Sequence, residues 1–239
     1  MPLPKIATPT YELELPSTGK TIKYRPFLVK EEKVLVIALE SEDTKQITNA
    51  IKAVLKNCVL TKGIKVETLP TFDIEYLFLN IRGKSVGEEL EVNIVCPDDG
   101  ETNVPVFIDL DSIQVEKDDD HTNQIKLDDD LMMEMKYPSL DQFIKNNFDF
   151  QEGNQMDQSF ELIATCIDKI YNEDEVWATA DCTKKEVKDF LESMNSSQFK
   201  EIEKFFESMP KLKHTIEVTN PNTKVKSEVV LEGLASFFG

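Results

Sequence analysis

The chain has 239 residues, of which 40% are hydrophobic and 14 are phenylalanine, a composition typical of a globular protein and not of a disordered one. Its 45 acidic residues outnumber its 27 basic residues, which gives a formal net charge of −18. A chain this acidic repels phosphate backbones, so we expect no nucleic-acid partner and favour basic protein surfaces. The sequence shows no signal-peptide pattern and no apolar run long enough for a membrane span. We therefore expect no membrane partner and a cytoplasmic location.

The first half of the chain predicts a β-hairpin followed by three helices. The stretch YELELPSTGKTIKYRPF alternates apolar and polar residues on both sides of Pro16–Gly19, which indicates a hairpin with a short glycine-containing loop. Lys30–Leu39 predicts the first helix, and Asp43 is a candidate N-cap for the second. The second helix carries an apolar stripe of Ile47, Ile51, Val54, Leu55 and Cys58. A third helix is predicted over residues 72–83, with Thr71 as a candidate N-cap and Gly83 as its end.

The stretch EVNIVCPDDGETNVPVFIDL, residues 91–110, predicts a second hairpin and raises the question of a metal site. Its Cys-Pro turn resembles half of a zinc ribbon, except that Asp99 stands where a second cysteine would be. The two histidines, His121 and His214, are isolated, and no CxxC pair occurs. We interpret the turn around Cys96 as a plain hairpin tip, with a zinc knuckle or a vestigial knuckle as the alternatives. We predict no metal and no cofactor.

An acidic segment follows, with two aspartate triplets at Asp118–Asp120 and Asp128–Asp130. These triplets lack the central glycine and the spaced ligands of an EF-hand loop. They predict either a solvated loop or a surface for a basic partner. After the second triplet, Leu131, Met133 and Met135 alternate with other residues as in an exposed strand.

From Pro138 onward the pattern is mainly helical and ends in a β pattern. One helical stripe comprises Phe160, Ile163, Ala164, Ile167, Ile170 and Tyr171, and the next comprises Phe199, Ile202, Phe205, Phe206 and Met209. Thr183 with Glu186 predicts a capping box at the start of a helix between these two stripes. The stretches HTIEVT and KVKSEVVLEGL flank a turn-rich spacer and predict a terminal hairpin.

Together these patterns predict an α+β fold. It would consist of N-terminal β-hairpins with packed helices, and a helical C-terminal unit that ends in a β-hairpin. The predicted division is an N-terminal α+β unit over residues 1–115, an acidic crossover over 116–137, and a mainly helical unit over 138–239.

No motif in the chain points to catalysis. The stretch PSTGK, residues 16–20, resembles the end of a phosphate-binding loop, but the glycine that should precede it is missing and it lies between two strands. Neither GxSxG nor HExxH occurs, and the carboxylates are too numerous to single out a pair. We therefore predict a protein that is not an enzyme and has no catalytic residue.

Seven residues are candidates for partner binding. They are Phe205, Phe206, Phe237, Phe238, Asp118, Asp119 and Asp120. For the first two phenylalanines, helical spacing also permits a place in the core. The two near the C-terminus are difficult to bury unless they fold back or meet a partner. The aspartates would attract basic segments.

Several stretches in order along the chain resemble the T4-type bacteriophage baseplate hub protein family. They are TYELELPSTGKTIKYRPFLVKEEKVL, DIEYLFLNIRGKSVGEEL, FFESMPKLKHTIEV and LEGLASFFG. The most telling pieces are Arg25–Phe27 and Arg82–Gly87, and neither is a chemical motif. The resemblance rests on the order and spacing of the stretches over nearly the whole chain.

The resemblance implies a non-enzymatic protein required to assemble the hub at the centre of a contractile tail baseplate. Its partners would be other hub proteins or the tape-measure protein, and it could also form a homo-oligomer. The style of RPFLVKEEKVL, residues 25–35, is also similar to tail assembly chaperones. Two roles therefore stay open: a hub subunit of the virion baseplate, and a transient chaperone that acts in the host cytoplasm.

Overall fold

The structure is a computed structural model that describes residues 6–41, 43–140, 155–233 and 236. Its N-terminal part contains strands β1 (Tyr11–Glu14) and β2 (Thr21–Tyr24) and helices α1 (Val29–Glu40), α2 (Thr44–Cys58) and α3 (Thr71–Val86). The middle part contains strands β3 (Glu89–Val95), β4 (Asn103–Asp109), β5 (Gln114–Glu116), β6 (Gln124–Lys126) and β7 (Met132–Met135). The C-terminal part contains α4 (Gln155–Cys166), β8 (Ile167–Tyr171), β9 (Val176–Ala178), α5 (Lys184–Glu192), α6 (Ser196–Ser208), β10 (Lys211–Thr219) and β11 (Lys226–Glu232).

The described strands form four small antiparallel sheets, and the fold is α+β as predicted. Hairpins β1–β2 and β3–β4 are two-stranded, β11–β10–β5 is three-stranded, and β6–β7–β8–β9 is four-stranded. The predicted hairpin turn at Pro16–Gly19 is present, with Gly19 in the left-handed region at φ +66°. A short glycine-containing loop thus closes β1 onto β2, because glycine adopts this conformation without a Cβ clash.

Two separate hydrophobic cores organise the chain. The first is built from β1, β2, α1, α2, α3, β3 and β4, and the terminal hairpin adds Leu212, Ile216, Val218 and Leu231 to it. The second is built from β6, β7, α4, β8, α5 and α6. The packing thus groups the chain differently from the predicted division into 1–115, 116–137 and 138–239, which stays a prediction about folding units.

Helix α3 differs from the prediction at both ends. Thr71 is its first residue and not its N-cap, which is Pro70, and the helix extends beyond its predicted end. Gly83 lies inside the helix, and a Cβ atom at this position would stand 3.3 Å from Cδ1 of Leu110. The missing side chain thus lets the helix approach the chain that follows β4. Gly87 supplies the actual end, at φ +136° with its N–H bonded to the carbonyl of Gly83.

The predicted helical stripe through Tyr171 is wrong after Cys166, where the chain continues as β8. The register of β7 and β8 shifts between Glu134 and Met135, so Asp168 is an extra residue that faces no partner in the ladder. This β-bulge lets Ile167 and Ile170 face the same core although they are three residues apart. A spacing of three, which indicates a helix in most sequences, here results from an interrupted strand.

Strand β7 is present but is not exposed as predicted. Met133 and Met135 are 0% and 2% exposed, because β7 lies inside the four-stranded sheet and α5 and α6 pack in the same core. The rest of the alternation has the expected period, since Met132 and Glu134 lie on the more accessible face.

Candidate partner-binding surface

The acidic loop, defined as residues 117–121, connects β5 to β6 with its aspartates in solvent. Oδ1 of Asp118 accepts a hydrogen bond of 2.9 Å from the backbone N–H of Asp120, and the carbonyl of Asp118 accepts one of 3.2 Å from His121. These bonds close a tight turn that leaves the carboxylates of Asp118, Asp119 and Asp120 exposed. Among the described residues, no group of three or more His, Cys, Asp and Glu side chains is arranged to hold a metal ion.

His121 fastens the acidic loop to the end of α6. Its Nδ1 lies 2.9 Å from Oγ of Ser208, and its Nε2 lies 2.9 Å from the hydroxyl of Tyr137. The hydroxyl of Ser208 donates its proton to the carbonyl of Lys204, so Nδ1 must be the donor toward Ser208. Nε2 then accepts from Tyr137. Burial lowers the pKa of His121 below its ordinary value, and the charge of nearby Lys117 lowers it further.

Phe205 lies under the acidic loop as part of the second core. Its ring centroid is 5.2 Å from that of His121 and 5.7 Å from that of Tyr137. Phe206 meets Phe205 edge to face at 5.2 Å and keeps part of its surface accessible. Phe205 is only 2% exposed, so its contacts in this structure are internal. Phe205 and Phe206 lie on α6 as the predicted helical stripe requires.

The structure joins the loop of the three candidate aspartates to the helix that carries Phe205 and Phe206. His121, which follows Asp120 in the chain, contacts Ser208 and Phe205 of α6. Phe237 and Phe238 lie outside the described residues. Sequence patterns gave no indication of the roles of His121 and Tyr137, since nothing local connects residue 121 with residues 137 and 208. That these residues contact a partner stays a prediction.

Near the other end of α6 lies an open groove of about 500 Å³. Its floor includes Phe160 of α4 and Phe199 of α6, whose rings stack with centroids 5.6 Å apart. Among the described residues that line the groove, Glu192 and Glu203 are acidic and Lys200 is basic. Stacked aromatic rings beside two carboxylates fit an amphipathic segment that carries basic residues.

The hairpin tip around Cys96 contains no second thiol, and Asp99 closes the turn. The Asp99 carboxylate accepts hydrogen bonds from the backbone N–H groups of Glu101 and Thr102 at 3.1 and 3.0 Å, and from the hydroxyl of Thr102. These donors hold the pKa of Asp99 well below its usual range. Cys96 is 1% exposed and packs in the first core, where it acts as a small apolar residue.

The same hairpin tip is clasped to the turn between β10 and β11. Nδ2 of Asn220 donates to both carboxylate oxygens of Asp98 at 3.0 and 3.2 Å and to Oδ2 of Asp99 at 2.8 Å. The hydroxyl of Thr223 also donates to Asp98, and this bond and the Asn220 amide lower the pKa of Asp98. The carboxylates of Asp98 and Asp99 thus hold the tip of this hairpin against the turn between β10 and β11.

The PSTGK loop likewise has its donors engaged by protein. The N–H and the hydroxyl of Ser17 both donate to the carboxylate of Asp73, which is 0% exposed in the first turn of α3. Burial raises the pKa of Asp73. In a phosphate-binding loop these donors would bind the phosphate, whereas here they bind the carboxylate of Asp73. The loop therefore attaches β1–β2 to α3.

Comparison with known proteins decides the family. The family described as "T4 bacteriophage base plate protein" matches residues 8–239 of the chain. The chain belongs to this T4 base plate protein family. No curated protein and no solved structure matches the chain. In the described part of this base plate protein, no helix combines the length and the apolar character that crossing a membrane requires.

Proposed function

We propose that this base plate protein is a non-enzymatic subunit required to assemble the central hub of a contractile tail baseplate. The observation that carries the proposal is the family match over residues 8–239, which covers nearly the whole chain. A baseplate is built from protein–protein contacts, and a chain with a net charge of −18 suits basic partner surfaces rather than nucleic acid.

Two features of the surface support a role in protein contacts. The acidic loop presents three exposed carboxylates, and the groove between α4 and α6 is lined by Phe160 and Phe199 together with Glu192, Lys200 and Glu203. Exposed charges accelerate the encounter with a partner of opposite charge, whereas apolar anchors provide most of the affinity. The partner that fits is a basic or amphipathic segment of another hub protein or of the tape-measure protein. Assembly would take place in the host cytoplasm.

The alternative role is a transient assembly chaperone that binds the tape-measure or another hub protein and is absent from the finished virion. Quantitative mass spectrometry of purified particles and of infected-cell lysate, with a known tail protein as the internal count, separates the two roles. A fixed, small copy number per particle is expected for a hub subunit. Abundance in lysate together with absence from particles would overturn the proposal in favour of the chaperone.

The two aspartate triplets allow a matched test of the acidic loop. Replacing Asp118, Asp119 and Asp120 by asparagine removes three charges while keeping the turn, because an amide oxygen at position 118 can still accept from the N–H of residue 120. We expect fewer complete baseplates and weaker capture of hub proteins. The control replaces Asp128–Asp130 by asparagine, which removes the same charge from a second exposed turn. Equal effects of the two triplets would mean that net charge, and not the acidic loop, is recognised.

A further inference from the structure

Helix α1 is apolar on both of its sides. Its inner side buries Leu35 and Ala38, which are 9% and 5% exposed and belong to the first core. Its outer side leaves three aliphatic residues in solvent, Val29 at 79%, Val36 at 47% and Ile37 at 53%, and Val34 at 47% lies at the edge between the two sides. Single exposed aliphatic residues are ordinary, but three on one side of a helix of 12 residues form a patch that marks an interaction site.

Helix α3 shows the environment in which a helix with apolar residues on more than one side is normally found. It also carries apolar residues on more than one side, and it runs through the first core with Ile74, Leu77, Leu79 and Ile81 all buried. A helix that is apolar all round is typical of a fully covered position. Helix α1 also carries apolar residues on both sides, but none of the described residues buries its outer side, so we expect a further element to lie there.

The charges on the outer side of α1 indicate what covers it. Successive residues of a helix are about 100° apart, so Val29, Lys33, Val36, Ile37 and Glu40 fall within about 100° of one another. Lys33 and Glu40 are both exposed, and they stand two turns apart on this strip. The strip is therefore basic near its start, apolar between, and acidic at its end. Two such strips bring opposite charges together only when the two helices run antiparallel.

We propose that a second copy of this chain covers the outer side of α1, with the two α1 helices packed antiparallel about a twofold axis. In this arrangement Lys33 of one copy faces Glu40 of the other, while Val36 and Ile37 meet at the centre. A parallel arrangement would instead place Lys33 against Lys33 and Glu40 against Glu40. The twofold contact is self-complementary, as a closed dimer requires.

The size of the contact sets the concentration at which the dimer forms. A helix of 12 residues is about 18 Å long, so the helix pair buries an area at the low end of specific interfaces. The dimer is therefore weak and reversible, and dissociates on dilution.

The first experiment is sedimentation equilibrium of the purified full chain from about 1 to about 200 µM, the range in which a small interface dissociates. The apparent mass is expected to rise from 27.3 kDa toward twice this value. Val36→Asp should keep the protein at the monomer mass throughout. The control Val230→Asp changes an aliphatic residue on β11 that is 55% exposed, and should leave the dimer intact. Circular dichroism verifies that both variants are folded.

The second experiment tests the antiparallel direction by charge reversal at low salt. Lys33→Glu and Glu40→Lys should each weaken the dimer roughly five- to tenfold, because each creates two like-charged pairs across the twofold axis. The double variant exchanges the two charges and should restore the wild-type dissociation constant. A wild-type monomer over the whole range would overturn the proposal, as would a dimer that persists in Val36→Asp. Failure of the double variant to recover would overturn the antiparallel pairing.

Discussion

At the residue scale, Asn220 shows how one buried amide can connect distant parts of a chain. It is 1% exposed, and its Nδ2 serves the carboxylates of Asp98 and Asp99, more than 120 residues earlier in the sequence. Its Oδ1 accepts from the N–H groups of Asn222 and Thr223, so the same side chain also shapes its own turn. The sequence shows only a turn at this position, because nothing local reveals a partner so far away.

Removing the side-chain amide of Asn220 should therefore lower the free energy of unfolding more than removing that of Asn222. We expect Asn220→Ala to lower the free energy of unfolding by about 2 kcal/mol, since bonds from a buried donor to charged acceptors are lost. Asn222→Ala is the matched control, because Asn222 makes one exposed hydrogen bond to Thr102 and should change stability by less than about 0.5 kcal/mol. Urea unfolding of the three proteins measures the difference, and equal losses would mean that the clasp contributes nothing specific.

His121 gives a pH dependence whose sign follows from its burial. The folded state lowers the pKa of this group and so favours the neutral form. Its contribution to stability is full above the ordinary histidine pKa of about 6.5 and is lost as the pH falls from there through the lowered folded pKa. The groups that face it are Tyr137, Ser208, Lys117 and Asp118.

We expect the wild-type protein to lose stability as the pH falls below about 6.5, and His121→Gln to remove most of this slope. Denaturant unfolding at a series of pH values measures it. His214→Gln changes the other histidine, on β10, and should retain the wild-type slope. If His121→Gln kept the full dependence of stability on pH, the effect would come from another group.

At the element scale, what local sequence determines was predicted correctly. The stripe on α2 is buried as expected, and Oδ1 of Asp43 accepts from the N–H of Gln46 at 3.2 Å as an N-cap. The capping box of Thr183 and Glu186 is also confirmed. The patterns failed where contacts between distant chain segments determine the structure. Gly83 was predicted as a helix end, but it lies inside α3, where Leu110 packs against it, and the bulge at Asp168 depends on pairing with β7. The candidate residues were found singly by local features, whereas their proximity depends on long-range packing.

The capping box offers a test at this scale. The hydroxyl of Thr183 accepts from the N–H of Glu186, whose carboxylate accepts from the N–H of Thr183 at 2.7 Å. Thr183→Ala should cost about 1 kcal/mol of stability, because the first turn of α5 loses its cap. Thr183→Ser keeps the hydroxyl and should cost less than half as much. Thermal unfolding of both variants measures the ratio, and equal losses would point to packing of the methyl group instead.

At the scale of the whole molecule, the two cores meet at Phe72. Its ring contacts Tyr137 edge to face at 5.1 Å, and the N–H of the adjacent Thr71 donates to the carbonyl of Pro138 at 2.9 Å. The pairing of β5 with β10, where Leu212 faces Val115, lies within the first core. We expect the contact between Phe72 and Tyr137 to couple the unfolding of the two cores.

Truncation of the junction should separate these two cores. Trp177, the single tryptophan, lies on β9 in the sheet of the second core, so its fluorescence reports on that core, whereas far-UV circular dichroism reports on both. The two probes should coincide in the wild type. In Phe72→Ala, which should lose about 3–5 kcal/mol, they should diverge. Phe107→Ala is the control, because Phe107 is 62% exposed on β4. Coincident probes in Phe72→Ala would show that the two cores stay coupled without this ring.

The position of the terminal hairpin also has a consequence for synthesis. Strands β10 and β11 are translated after every other described helix and strand, yet their side chains fill the first core beside elements made at the beginning. While the ribosome makes the middle of the protein, the first core lacks these residues and part of its apolar surface stays exposed to solvent. A nascent chain that stalls before residue 211 would keep that surface open to chaperones and proteases. In this way the order of translation itself would distinguish finished chains from interrupted ones.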